Sequence, residues 1–296
     1  MKKLLFSLNP KQQCTQTQAN YWKSIGVQGF FLGNIMWGWD SDVGTNPASD
    51  TWVNTIVFQD TYSKVGIADN YIHVGVWGAG KDTNYTYQWT VENNGATIKR
   101  FGNCAALAKA ADMPGIALDL EPYKPMWDGQ ADNSMIRSMG KQVARAMWKA
   151  YPDMTLFILP DVLRLQRAGN AAYKQVGYFI LGLLSLEWKR VVVGTELTYS
   201  EAPDSILHSV SSADAMWHQY LVDNNLPASY LSIAPGLWPL GKSSTDDSPR
   251  ETAQRFKDQL TAASSCAKDY TWIFGFNETW MPGTPPQSFI DVLLSQ

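Results

Sequence analysis

Short apolar runs alternate along this chain with longer amphipathic stretches, and the alternation repeats eight times. The runs at residues 4–8, 27–33, 71–77, 115–120, 155–159, 191–195, 230–234 and 270–275 are rich in Val, Ile, Leu and aromatics and predict buried strands. Between them the pattern changes to helical spacing. Helices are predicted over 15–24, within 51–65, around 96–111, within 133–150, over 171–188, 213–224 and 249–264, with 286–294 closing the chain. Eight strand–helix units at this spacing predict an α/β fold, a single (β/α)8 TIM barrel. A doubly wound sheet is the rival, but it usually uses fewer units. No repeat, low-complexity tract or linker divides the chain, so 1–296 is read as one barrel domain.

Composition narrows the partners. The 296 residues include 24 basic and 27 acidic side chains, a net charge of −3, which gives nucleic acid or an anionic membrane no electrostatic purchase. No apolar stretch is long enough to span a bilayer; residues 176–186 fit a buried helix. Residues 1–8 resemble a secretion signal, but Asn9-Pro10-Lys11 ends the apolar part early, so 4–8 is read as the first strand. Location in or outside the cell and oligomeric state stay open. Cys14, Cys104 and Cys266 show no metal-binding spacing and read as free thiols. Trp, Tyr and Phe number 13, 13 and 11, and the thirteen tryptophans exceed what a core requires. Flat aromatic faces packing on sugar rings are one use for the surplus.

The densest chemistry lies in Gly115-Ile116-Ala117-Leu118-Asp119-Leu120-Glu121-Pro122-Tyr123. Side chains at i and i+2 of a strand share a face, so Asp119 and Glu121 project together at the end of the fourth run. In a TIM barrel that end carries the site. Paired carboxylates perturb each other's proton affinity and can divide acid and base roles, as glycoside hydrolysis requires. Other strand ends add Trp37, Trp39 and Asp40 after the second run, Trp77 at the third, Tyr123 at the fourth and Asp161 at the fifth. Glu196 and Tyr199 follow the sixth, Trp238 the seventh, and Glu278 with Trp280 the eighth. Acids and aromatics thus converge on one rim, as a carbohydrate cleft demands.

Other chemistries lack their residues. His73, His208 and His218 are far apart in sequence, so no metal site is expected, and no cofactor. No G-x-S-x-G elbow is present, and no glycine-rich phosphate clamp opens a helix.

The run ending in Asp119-Leu120-Glu121 resembles the fourth-strand signature of family 18 chitinase-like glycoside hydrolases, D-x-x-D-x-D-x-E. With Tyr123-Lys124-Pro125-Met126-Trp127 it also resembles the corresponding strand of hyaluronidases. Trp280 and Tyr199 are similar in place to a subsite tryptophan and a tyrosine of such enzymes. Ala117 stands where the chitinase series has its middle Asp, and Glu196-Leu197-Thr198-Tyr199 replaces the tyrosine–aspartate pair. The resemblance implies a (β/α)8 hydrolase of a poly- or oligosaccharide.

Glu121 is therefore the expected general acid. Asp119 either orients a substrate acetamide or holds Glu121 in place, and Glu196 is the candidate for an independent nucleophile or base if the substrate lacks an acetamide. The alternatives are a non-catalytic, lectin-like barrel and a barrel lyase or isomerase using Glu196 and His73.

Overall fold

The computed structural model describes residues 1–37, 48–75, 88–121, 131–167, 169, 171–227, 230–241, 250–275 and 279–296, apart from the side chains of Ser7, Asn34, Trp37, Ala171 and Ala172. Eight parallel strands close into a barrel in sequence order: β1 (Lys2–Leu8), β2 (Gly29–Trp37), β3 (Tyr71–Gly75), β4 (Gly115–Asp119), β5 (Thr155–Leu159), β6 (Arg190–Thr195), β7 (Tyr230–Leu240) and β8 (Tyr270–Gly275). Pairing of β1 with β8, from Lys2 opposite Tyr270 to Phe6 opposite Phe274, completes the ring. The helices are α1 (Gln16–Ser24), α2 (Asp50–Ser63), α3 (Val91–Ala110), α4 (Asn133–Ala150), α5 (Val162–Arg167), α6 (Ala171–Leu183), α7 (Pro203–Asp223), α8 (Ala253–Cys266) and α9 (Gln287–Leu294). The expected α/β TIM barrel is the fold observed.

Local sequence explains most boundaries. Thr15 caps α1 in a reciprocal box with Gln18, and Thr90, Asp132 and Thr252 cap α3, α4 and α8 by accepting a backbone N–H in the first turn. Along α4 the residues Ile136, Met139, Gly140, Val143, Ala144 and Met147 are buried, the stripe of a helix with one covered face. Gly140 and Gly182 let α4 and α6 cross closely, since a Cβ at either would collide with a carbonyl of the other helix.

Two apolar cores result. The outer one fills the space between strands and helices. The inner one is aromatic, with Phe31, Tyr71, Phe157, Tyr270 and Trp272 inside the barrel alongside Leu4, Ala117, Val192 and Ala234. Phe31 and Phe157 meet edge to face at 4.9 Å. Small neighbours make the rings fit: a Cβ on Gly194 or Gly236 would press on the Trp272 indole.

Three segments differ from expectation. Helix α5 lies between the predicted fifth strand and the helix predicted over 171–188, α7 starts at Pro203 rather than 213, and β7 runs on through Leu240. The extension of β7 contains Pro235 and Pro239, which normally end a strand, and the ladder to β8 shifts register between Leu237 and Leu240. Cys104 is buried in α3 and Cys266 closes α8, both as free thiols. No described helix is long and apolar enough to cross a membrane.

Candidate active site

Strand parity sets the site. Tyr71 and Ala117 face the barrel interior, so His73 and Asp119, two residues further on, face it one layer higher. His73 has no exposed surface, and its Nε2 lies 3.2 Å from Asp119 Oδ2. The ladder with β5 continues through the Leu120 N–H to the Leu159 carbonyl at 2.6 Å. It then releases the chain at Glu121, whose N–H points at Asp119 Oδ1, 3.4 Å away. Glu121 is thus held at the mouth of the barrel, half-buried, directly above Asp119.

The loop after β6 brings the third acid. The Thr198 hydroxyl donates to the Gly236 carbonyl at 2.7 Å and accepts the Gly236 N–H at 2.9 Å, which pins the turn to β7. The Tyr199 N–H closes that turn on the Glu196 carbonyl at 3.0 Å. Further along, Gln259 of α8 donates to the Glu201 carbonyl and the Ser209 hydroxyl to the Glu201 carboxylate. So anchored, Glu196 extends toward β4, where its carboxyl hydrogen-bonds that of Glu121. The Tyr199 hydroxyl donates a long, 3.4 Å bond to Glu196 Oε1.

The electrostatics follow from this crowding. Enclosure drives the Glu196 pKa well above the ordinary carboxylate range, and the charges of Glu121 and Asp119 push it further the same way, against the smaller pull of Tyr199. The Tyr199 phenol is itself raised, by burial first and then by the carboxylates. Tyr173, buried in the first turn of α6, feels burial and then Glu121, Glu196 and Asp119 in that order, and its pKa is likewise raised. Such a group of acids shares protons rather than titrating singly.

Of the residues picked out from sequence, Asp119, Glu121, Glu196 and Tyr199 come together here. Trp238 adjoins them, its ring 5.7 Å from that of Tyr199 and 4.9 Å from that of Phe274, with the Arg250 guanidinium 4.0 Å over its face.

Two expected rim residues are elsewhere. Asp161 is buried and turned to the helix layer: it accepts Trp217 Nε1 of α7 at 2.7 Å, and its Oδ1 is 3.4 Å from the Arg164 N–H of α5. Trp280 is buried in the outer core against Phe256 of α8, where an indole offers no face to a sugar. Trp39, Asp40, Trp77, Tyr123 and Glu278 lie outside the described residues, as does the side chain of Trp37.

The structure adds Tyr173, which carried no sequence signal, since it depends on where α6 begins. It also places His73, named from sequence only for the lyase or isomerase alternative, against Asp119. Among the described residues no three His, Cys, Asp or Glu side chains are grouped to hold a metal ion.

No family model matches this sequence, and no curated protein does. Solved structures share its fold. A GH18 chitinase from Pseudoalteromonas aurantia superposes with a TM-score of 0.54 at 13% identity, over 100% of this chain and 99% of that one. A trimodular GH5_4 subfamily endoglucanase gives 0.59 at 10% identity, over 99% of this chain and 59% of the other. An exo-β-1,4-mannosidase from Opitutaceae bacterium strain TAV5 gives 0.59 at 10%, over 92% and 51%. This chain therefore spans all of the chitinase and little more than half of the other two. The barrel is of the kind that glycoside hydrolases use.

Proposed function

We propose that the chain is a glycoside hydrolase acting on an oligo- or polysaccharide at the C-terminal mouth of the barrel. The observation that carries this reading is the hydrogen-bonded carboxyl pair of Glu121 and Glu196, with Asp119 beside it. A half-buried acid pair with a displaced proton affinity is what acid–base chemistry needs, and such displaced affinities cluster at functional sites.

The proton that the raised affinity of Glu196 keeps in the pair crosses to Glu121, which passes it to the glycosidic oxygen as the C1–O bond breaks and its electron pair goes to the leaving oxygen. Glu196, left as carboxylate, either attacks C1 or takes a proton from the water that does. Trp238 and Tyr199 supply aromatic surface beside the acids. The likeness of fold to a chitinase, an endoglucanase and a mannosidase supports a sugar as substrate and leaves its identity open.

The test is a panel of defined glycans scored for new reducing ends, with product anomers followed by proton NMR. Release of reducing ends that Glu121→Gln abolishes in a folded protein supports the assignment. Stable glycan binding without release favours the lectin-like alternative.

A further inference from the structure

Both oxygens of Asp119 are engaged from within the protein. Oδ2 faces Nε2 of His73 at 3.2 Å, and Oδ1 faces the Glu121 backbone N–H at 3.4 Å. A carboxylate only accepts, so the imidazole presents its Nε2–H. His73 cannot easily retreat. It is fully buried in β3, in register with Ala117 of the next strand, and its ring meets that of Phe6 edge to face at 4.9 Å. The side chain at 117 is a methyl group, so β4 itself puts no polar group beneath Asp119, and the imidazole of the neighbouring strand makes the contact. Turning Asp119 toward a substrate would give up both hydrogen bonds at once.

We propose that His73 is a positioning residue that locks Asp119 in the orientation supporting Glu121, so that Asp119 does not swing to a substrate acetamide. Resting on the hydrolase reading, this names the substrate class: glycans whose reacting sugar carries no 2-acetamido group, cleaved by the Glu121–Glu196 pair alone. The titratable groups facing the lock are Glu121 from the end of β4, Glu196 and Tyr199 from the loop after β6, and Tyr173 from α6.

The test has two arms, both on the full chain. In the first, matched cello-, manno-, xylo- and chito-oligosaccharides are offered and reducing ends counted. Cleavage of a series lacking acetamides is expected. With that substrate, His73→Gln should lower kcat about a hundredfold, the scale of a misplaced catalytic group, leave KM within about threefold and shift the acid limb of the kcat profile. Cleavage confined to the chito series, or a His73→Gln protein with wild-type kcat and pH profile, overturns the proposal.

The second arm needs no turnover. In nitrogen-15 imidazole spectra two of the three histidines, His208 and His218, are exposed. The third should show a slowly exchanging Nε2–H that moves in Asp119→Asn. A signal indifferent to that change overturns the lock, whether or not His73→Gln folds. If no glycan is cleaved, the hydrolase reading and the substrate class fall together, and the imidazole signal alone decides the lock.

Discussion

At the N-terminal end of the barrel the Tyr71 hydroxyl donates to that of Tyr270 at 2.9 Å, Tyr270 donates to Asp69 at 3.1 Å, and Lys2 pairs with Asp69 at 2.7 Å. Arg190 stands 3.6 Å from Asp269 beside them. Every acid named there faces a cation. At the C-terminal end, one barrel length away, the charges acting on Glu196 are those of Glu121 and Asp119, and no cation of the described residues is among them. The fold compensates partly covered carboxylates with cations at its floor. That it gathers like charges at its mouth is a cost to stability, which selection tolerates where the perturbed proton affinity is used. The contrast between a neutralised floor and a frustrated mouth is the physical case for reading the mouth as the site.

The strongest way to break that contrast is Glu121→Gln. Loss of the proton donor should reduce kcat by about a thousandfold or more while the melting temperature holds or rises, because a like charge has gone. The same kind of substitution at the floor, Tyr71→Phe, should leave kcat alone and cost about 1 kcal/mol for the lost buried hydrogen bond, read from denaturant midpoints. Equal activity losses at both ends would remove the distinction.

The next effect tests a residue that moved from one region to the other. Asp161 was expected on the rim and is found holding Trp217. Asp161→Ala leaves that indole N–H buried without an acceptor, so stability should fall by about 1–3 kcal/mol, with kcat/KM per folded molecule unchanged. Asp161→Asn keeps an acceptor and should recover most of the loss. A specific fall in kcat/KM would return Asp161 to the site.

Asp161 also shows where the sequence stopped being legible. The strands were readable because both faces of a barrel strand are buried and the runs are continuous. For β5 and β8 the predicted bounds, 155–159 and 270–275, are those observed. The site was readable as far as period-2 parity reaches: Asp119 and Glu121 on one side of their strand, Glu196 and Tyr199 one turn past another. Parity fails after Pro160, so nothing local says that Asp161 turns outward. Trp280 likewise follows an acid in sequence yet packs on Phe256 of α8, a contact no local pattern encodes. His73 was visible as an inward position, but the register opposite Ala117 that brings it under Asp119 belongs to the assembled barrel. The early start of α7 was the more recoverable miss. Ile206, Ser209, Val210 and Ala213 are buried at helical spacing, a pattern that local sequence already carries.

A smaller effect sharpens the comparison through pH. The Glu196 pKa is raised in the folded protein, so between the unfolded value of about 4.3 and the folded one the native state binds more protons than the unfolded state. Stability should therefore be greatest on the acid side of that window and fall as pH rises through it. Glu196→Gln cannot ionise and should flatten this decline, gaining about 1 kcal/mol near neutral pH, or roughly 2 °C in Tm. Calorimetric scans across pH 4–8 would show it. A decline of the same slope in the variant would mean that the mouth carboxyls are not frustrated after all.

The smallest expected effect concerns Trp238, where the mouth borrows a cation. Arg250 covers one face of the indole at 4.0 Å and donates to the Ser200 hydroxyl at 2.9 Å, while Phe274 and Tyr199 meet the ring in T-shaped contacts. A sugar stacking on Trp238 must displace that guanidinium, and an exposed cation–π contact is worth about 0.5–1 kcal/mol. Arg250→Ala should thus uncover the ring and lower KM about two- to threefold with kcat unchanged, whereas Trp238→Ala should raise KM by more. If Arg250→Ala raises KM instead, the guanidinium is itself part of the sugar contact, and Trp238 is its support rather than the stacking surface.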